Sequence, residues 1–385
     1  MSFQRLDVEL DLGPSASLMD QLKAVPARWA VYLLADAEDR PIQLLCVKNL
    51  RASLVRRLIG EDAAPVGRRV DYRQIVRRVH YTRVDSALEA DLVYLETARS
   101  AFPESYRKTA GLRPAWFVHV DPDAPFPRYR KTTDINRQDG VHFGPIDGRE
   151  SAQRLVESME DWFDLCRYHD VLMKAPAGRA SAYKDMGRCP APCDGSISME
   201  PYRQLIRYSM TALDTPQDYV RQQEERMRLA AAELKFEIAG RIQKHIESFA
   251  VVGTGPYRHV RRLNDFRYVS LQRGPRAGTA KLFLTTPARV DVVACLLTEP
   301  VAPSALIELV CKLAAEWSGL AVDEPAAERV GVVAQHLFET TTHGTFIPLD
   351  QLDERNLRLA YRQIAGQKQA DATEDEGVVR ELGTE

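Results

Sequence analysis

The segment Gly187-Arg-Cys-Pro-Ala-Pro-Cys193 constrains this chain more than any other. Two thiols, Cys189 and Cys193, stand three residues apart, and Pro190 and Pro192 stiffen the gap. Gly187 and Gly195 flank the motif. Proline fixes φ and glycine supplies positive φ, so the segment reads as a rigid loop that aims two sulfurs at one point. A third thiol, Cys166, closes an upstream run in which Ala152, Leu155, Val156, Met159, Trp162 and Phe163 share one helical face. A C-x-x-x-C pair with a distant cysteine has two readings: a metal site, or three reduced thiols held by packing.

The 385 residues are 45% hydrophobic and 28% charged, which is ordinary for a soluble globular protein and long enough for two or three domains. A net charge of −2 gives no global pull on a polyanion, so nucleic-acid contact needs a local basic patch. No apolar run approaches the ~20 residues of a membrane helix, and the stretch from Met1 to Glu9 has no signal-peptide core. Six cysteines in so long a chain make no disulfide scaffold, so a reducing cytoplasm is the expected compartment.

Along the chain, Leu6 to Leu10 alternate as an early strand within an extension over 1–24. Arg28–Ala35 and Ile42–Val47 flank the turn Asp36–Pro41 and read as a β-hairpin. Leu50, Leu54 and Leu58 place a helix after it. Lys48, Arg51, Arg56, Arg57, Arg68, Arg69, Arg73, Arg77, Arg78 and Arg83 make this part locally basic. Such residues suit sequence-independent phosphate contact, and the competing reading is a solvated face balanced by acids elsewhere.

Pro114–Val120 reads as a strand before the turn-rich Asp121–Arg128. Thr215–Phe249 reads as an antiparallel helical hairpin turning near Lys235, with Met227, Ala231, Leu234, Phe236, Ala239, Ile242 and Ile246 apolar. Further on, Asp265–Leu271 and Lys281–Leu284 read as paired strands, and Pro303–Trp317 and Asp353–Ile364 as helices. His336 and His343 are isolated and read as structural. From Gln367 the chain is acidic and polar, and disorder is expected.

Phe126-Pro-Arg128, His142-Phe-Gly-Pro145, the run to Cys166 and the Cys189–Cys193 motif together resemble the cysteine-rich middle of the bacterial UvrC family. UvrC is the nuclease subunit of nucleotide excision repair. The hairpin–helix unit with Lys48-Asn-Leu-Arg51 resembles the GIY-YIG nuclease domain that opens UvrC, and Asp85–Glu96 is similar to the helix that carries that family's catalytic glutamate. The resemblance implies an α+β chain. It has a degenerate GIY-YIG-like mixed α/β domain over 25–110 and a cysteine-rich domain over 111–214. A UVR-type helical hairpin covers 215–250, and a C-terminal α/β domain of open fold covers 255–366. The disordered tail covers 367–385.

A GIY-YIG nuclease needs a tyrosine beside the scissile phosphate, a basic residue against developing charge and a carboxylate for a divalent metal. By resemblance only Tyr32 stands in its place. The second tyrosine, glycine and lysine positions hold Gln43, Leu45 and Cys46. The helical arginine is Ser53, the glutamate is Tyr94 and the asparagine near the end is Tyr106. Glu89 and Glu96 are close to Tyr94, but two residues are about 200° around a helix. The resemblance thus implies a pseudo-nuclease without divalent metal that binds DNA through Lys48, Arg51, Arg56, Arg57, Arg77 and Arg78. The competing reading is a truncated endonuclease with rearranged catalytic residues.

The family's cluster uses four cysteines, and the fourth position here is Ser181. Cys166, Cys189 and Cys193 are left to bind zinc with His169, to hold an iron–sulfur cluster with one other ligand, or to pack without metal. The hairpin resembles the UVR motif, which pairs with a like hairpin in the helicase subunit UvrB. Met227, Leu234, Phe236, Glu237, Arg241 and Ile242 would carry that contact, while Gln243 and Lys244 depart from the usual arginine–aspartate. UvrC's RNase H-like second nuclease domain would begin near 255, where this chain has too few residues for it and no acidic triad stands out.

Overall fold

Every residue of the strand Ala30–Ala35 is buried, because its sheet is covered on both faces. The computed structural model describes residues 6–12, 17–59, 72–111, 113–339, 344–366 and 377–383. The first sheet holds β1 (Val8–Asp11), β2 (Ala30–Ala35), β3 (Pro41–Val47) and β4 (Arg78–Arg83), with all neighbours antiparallel. Helices α1 (Leu18–Ala24), α2 (Leu50–Leu58) and α3 (Tyr72–Ile75) accompany one face. Helix α4 (Ala87–Ala101) covers the other, and the short α5 (Tyr106–Thr109) follows it. Alternation sorts β2: Tyr32 and Leu34 pack with Leu50 and Leu54, while Val31 and Leu33 pack with Leu88 and Leu95. The Asn49 side chain caps α2 by accepting from Ala52 N at 3.1 Å. Ser86 caps α4 by accepting from Glu89 N at 3.2 Å, while the Glu89 carboxylate accepts from Asp85 N at 2.9 Å.

The middle sheet has the order β6-β5-β7-β8, from β5 (Trp116–Val120), β6 (Arg130–Thr132), β7 (Val141–Ile146) and β8 (Arg261–Arg262). Gly144 in β7 is required by a close approach, since a Cβ there would sit 2.4 Å from the Phe117 ring. Helix α6 (Arg149–Trp162) packs on this sheet through Ala152, Leu155 and Met159. It stops at Trp162, and Asp164 turns the chain at φ 50°, so Cys166 lies in a loop beyond the helix rather than on it. The short α7 (His169–Leu172) and α8 (Ala182–Asp185) lead through the cysteine loop to α9 (Met199–Asp214). Then α10 (Pro216–Ala232) and α11 (Phe236–Phe249) run antiparallel around a turn in which Leu234 takes φ 59°.

The C-terminal unit is a sheet of order β11-β10-β9-β12, from β9 (Tyr268–Arg273), β10 (Ala280–Thr285), β11 (Val290–Leu296) and β12 (Thr345–Pro348). On one face, α12 (Pro303–Ser318) and α14 (Glu354–Ala365) bury Val310, Ala314, Leu357 and Ile364 against Leu271 and Leu282. On the other, α13 (Glu324–Phe338) packs against α4, placing Val330, Val333 and Leu337 in the same core as Leu88 and Leu95. No helix of the described residues is long and apolar enough to cross a membrane.

Two expectations are corrected. Within the presumed extension over 1–24, β1 pairs with β4 and α1 buries Leu22, so both belong to the first sheet unit. Of the tail over 367–385 expected to be disordered, 367–376 and 384–385 lie outside the described residues, while β13 (Val378–Gly383) pairs with the outer edge of β3, Leu382 opposite Leu44. An open edge of a buried sheet needs a partner, and β13 supplies one. Its alternation sends Leu382 and Arg380 to the α4 side and Glu381 to the α2 side.

Candidate functional site

Tyr32 lies at the centre of the first core, fully buried, with its hydroxyl 2.6 Å from the Ser53 hydroxyl. Ser53, on α2, is itself buried. Tyr94 is on the opposite face of the sheet, in the core beneath α4. Its hydroxyl is buried with no hydrogen-bond partner among the described residues, and burial raises its pKa above the ordinary phenol value. Tyr106 donates from its hydroxyl to Glu328 of α13 at 2.6 Å. Gln43 donates to Glu381 of β13. The positions expected from the resemblance to form a nuclease site are therefore split between two faces of the sheet, α13 and β13.

The acids of α4 point at the C-terminal unit. Glu89 takes Lys281 Nζ at 2.6 and 2.8 Å, and the same ammonium lies 2.6 Å from Asp85. Burial raises the Glu89 carboxyl, and Lys281 only partly offsets it. Glu96 lies 3.7 Å from Arg329. Asp91 receives His336 Nε2 at 3.0 Å and Arg380 Nε at 2.7 Å. Burial alone would raise the Asp91 carboxyl, but these two hydrogen bonds hold it below its usual value. Burial would likewise lower the His336 pKa, but hydrogen bonds to Asp91 and Glu339 raise it to about 9. This Asp91–His336–Arg380 contact escaped the sequence reading, and no local spacing marks it.

The basic residues divide in two. Lys48, Arg51, Arg56 and Arg77 are exposed, with Arg51 donating to the Val25 carbonyl at 2.7 Å and Arg77 to the Val76 carbonyl at 2.8 Å. Arg57 lies 3.7 Å from Glu381, and Arg78 lies 3.7 Å from Glu9 and 3.8 Å from Asp39, so acids offset both. Arg68, Arg69, His343 and the side chain of Arg73 lie outside the described residues.

The cysteine loop brings Cys189 close enough to Cys166 for the two thiols to act on each other's ionisation, while the Cys166 thiol donates to the Tyr168 carbonyl at 3.5 Å. The mutual effect of the two thiols raises the Cys166 pKa and lowers that of Cys189 to about 6. Cys193 acts on Cys166, and Cys189 on Cys193, through charge alone. Ala191, between the two prolines, takes φ 53°, and the Cys193 carbonyl accepts from Gly178 N at 2.8 Å. Among the described residues no three His, Cys, Asp or Glu side chains converge as a metal ion would require. His169 does not join the thiols: it faces Arg128 and Arg130 across a separate cavity. The donor set in this arrangement is a thiol pair with a third thiol beside it.

The helical hairpin is anchored at its base by rings. Phe249 meets Tyr219 at 4.7 Å and Trp162 at 4.9 Å, and the Tyr219 hydroxyl lies 2.7 Å from His245 Nε2. At its tip Leu234 is 74% exposed, Phe236 66%, and Leu229 and Ile238 are also open. Met227 and Ile242 are half-buried, and Glu237 and Arg241 are exposed.

Residues 115–212, from β5 through most of α9, match the family model for the UvrC/Cho excinuclease middle domain. The chain is also similar to UvrC proteins over about 60% of its length. It is 25% identical over 225 residues to UvrABC system protein C of Trichlorobacter lovleyi, covering 58% of this chain and 37% of that protein. The namesake in Syntrophus aciditrophicus is 24% identical over 253 residues, covering 64% and 38%. That of Syntrophomonas wolfei is 29% identical over 244 residues, covering 61% and 39%. The chain thus spans about two-fifths of the length of the curated relatives it matches. No solved structure matches. The cysteine loop lies inside the matched UvrC/Cho middle domain, and the α10–α11 hairpin begins just after it.

Proposed function

We propose that this chain is a UvrC-like factor of nucleotide excision repair that binds DNA and a UVR-bearing partner of the UvrB type, and that it does not itself cut DNA. The observation that carries this reading is the open apolar tip of the α10–α11 hairpin, set directly after a UvrC/Cho middle domain. An isolated hairpin cannot cover both sides of its own apolar stripe, so a second hairpin completes a four-helix packing. Phe236 is the anchor of that interface, with Leu234 and Ile238 beside it and Glu237 and Arg241 at the rim.

The non-cutting half of the reading rests on Tyr32, which is closed in the core against Ser53, and on Tyr94, which lies across the sheet from it. DNA contact falls to the exposed Lys48, Arg51, Arg56 and Arg77, and weakens as salt rises because phosphate contacts release counterions. The experiment is a nicking assay on lesion-bearing duplex with Mg²⁺ or Mn²⁺, run with a UvrB-type subunit. Salt-sensitive binding without nicking is the expected result, and metal-dependent nicking by this chain overturns it. Elemental analysis of the same preparation tests Cys166, Cys189 and Cys193: zinc or iron near one equivalent assigns a metal site, and neither metal assigns packing.

A further inference from the structure

The turn-rich loop before β6 and the short helix α7 frame a half-open cavity of about 270 Å³. Pro125 and Phe126 give it apolar walls, and Arg128, Arg130 and His169 reach into it. Among the described residues neither arginine makes a side-chain hydrogen bond or an ion pair. The Nδ1 of His169 is buried and has no hydrogen-bond partner. The acids nearby do not balance this charge. Asp121 lines the cavity but accepts from Asp123 N at 3.0 Å, and Asp139 is held by Arg137 at 3.0 Å. Asp170 and the half-buried Glu160 act on His169 and Arg128 only through their charge.

Two guanidinium groups and an imidazole thus converge without partners. Burial lowers the Arg130 pKa from its ordinary value, the charges of Arg137 and Arg128 lower it further, and the charges of Asp139 and Asp121 offset this only in part. Burial and the charge of Arg128 do the same to His169. Holding like charges together costs free energy that a bound anion recovers. Guanidinium forks match phosphate oxygens, and a neutral imidazole N–H adds a donor. The cavity is smaller than the roughly 300–1,000 Å³ that drug-sized ligands fill, which suits a compact anion.

We propose that this cavity is a phosphate site, in which Arg128 and Arg130 hold the oxygens of a phosphate mono- or diester and His169 Nδ1 donates to it. Pro125 and Phe126 lie against what the phosphate carries. The phosphate comes from a nucleic-acid backbone or from a free nucleotide. The site needs only the cavity and its charges, so it stands independently of the repair reading.

The test uses the full chain at constant ionic strength. Inorganic phosphate is titrated by ³¹P NMR, and a deoxymononucleotide and a fluorescent duplex are titrated in parallel. Wild type should saturate with phosphate, and Arg128→Gln with Arg130→Gln should weaken that binding roughly tenfold or more with circular dichroism unchanged. A matching loss in the duplex arm assigns the phosphate to a nucleic-acid backbone. A loss confined to the mononucleotide arm assigns it to a free nucleotide. His169→Gln, which keeps a donor without the ring, should lose less than the arginine pair. Absence of saturation by wild type overturns the site even if the variant fails to fold. So does equal binding by wild type and a folded arginine variant.

Discussion

In the first sheet every residue of β2 is buried, whereas in α11 only Phe249 is. Both elements are rich in apolar side chains, yet the chain closes one and leaves the other open. Around the sheet, α2 seals Tyr32, α13 seals α4, and β13 comes from the far end of the sequence to cap the edge of β3. At the hairpin tip nothing among the described residues covers Leu234 or Phe236. A site that cuts DNA must admit a phosphate to its tyrosine, and a docking site must offer bare apolar surface. The first sheet is closed around its tyrosine, the hairpin tip is bare, and the proposed scaffold and docking roles rest on that contrast.

The largest effect should come from opening the closed region. Truncation after residue 366 removes β13, the burial of Leu382 and the Arg380 contact to Asp91. Burying a leucine is worth about 2 kcal/mol, and a buried carboxylate that loses a charged partner costs about 1–3 kcal/mol. Unfolding in urea should show a loss of about 4 kcal/mol. A loss below ~1 kcal/mol would break the comparison, since β13 would then be an ornament rather than part of the closure.

A second test acts through pH on the α13–α4 contact. His336 has a pKa raised to about 9 in the folded chain, against 6.5 ordinarily. A raised folded pKa stabilises fully below the unfolded value, so stability should be highest below pH ~6.5 and fall as pH climbs through about 9. The fall should be about 3 kcal/mol. His336→Gln should flatten this slope, and an unchanged slope in the variant would remove His336 as its cause.

The open region is tested by Phe236→Ala. With its ring 66% exposed, the substitution should leave the urea midpoint unchanged. Binding to a UvrB-type partner, read by pull-down and calorimetry, should weaken by about 2 kcal/mol or more. Unchanged partner binding would take away the main support for the docking role.

How much of this was legible in the sequence depends on range. The β2–β3 hairpin, α2 and the α10–α11 hairpin are local, and their periods of two and 3.6 are visible in the residues themselves. The stiff cysteine loop was legible for the same reason, with its prolines and positive-φ glycines in one short stretch. Cys166 was placed on a helix because the apolar face continues past Trp162, but Asp164 breaks the helix first. The strand β13 was missed because its composition is mixed and its reason for existing is distant. Gln43 and Glu381 are 338 residues apart, and Asp91 and Arg380 are 289 apart. The Arg128–Arg130–His169 cavity was missed likewise, since His169 was assigned to the thiols by proximity in sequence while the fold turns it to the other side. Long-range pairing leaves no periodic trace in one sequence, and that is where the reading failed.

The smallest expected effect is also the one that separates scaffold from catalyst. Tyr32→Phe removes a single hydroxyl and keeps the ring that fills the core. The Ser53 hydroxyl, buried beside it, still donates to whichever acceptor it can reach, so the cost should be about 1 kcal/mol, the net worth of one hydrogen bond. Adding Ser53→Ala should recover part of that cost, because two apolar neighbours leave no polar atom stranded. If Tyr32 is only a core residue, neither variant changes what happens to DNA: salt-sensitive binding stays and no nicking appears in wild type or variant. If wild type nicks lesion-bearing duplex with Mg²⁺ and Tyr32→Phe does not, a hydroxyl sealed against Ser53 must reach a phosphate in some open form of the sheet. The contrast between closed sheet and open hairpin would then describe one state of the protein rather than its design.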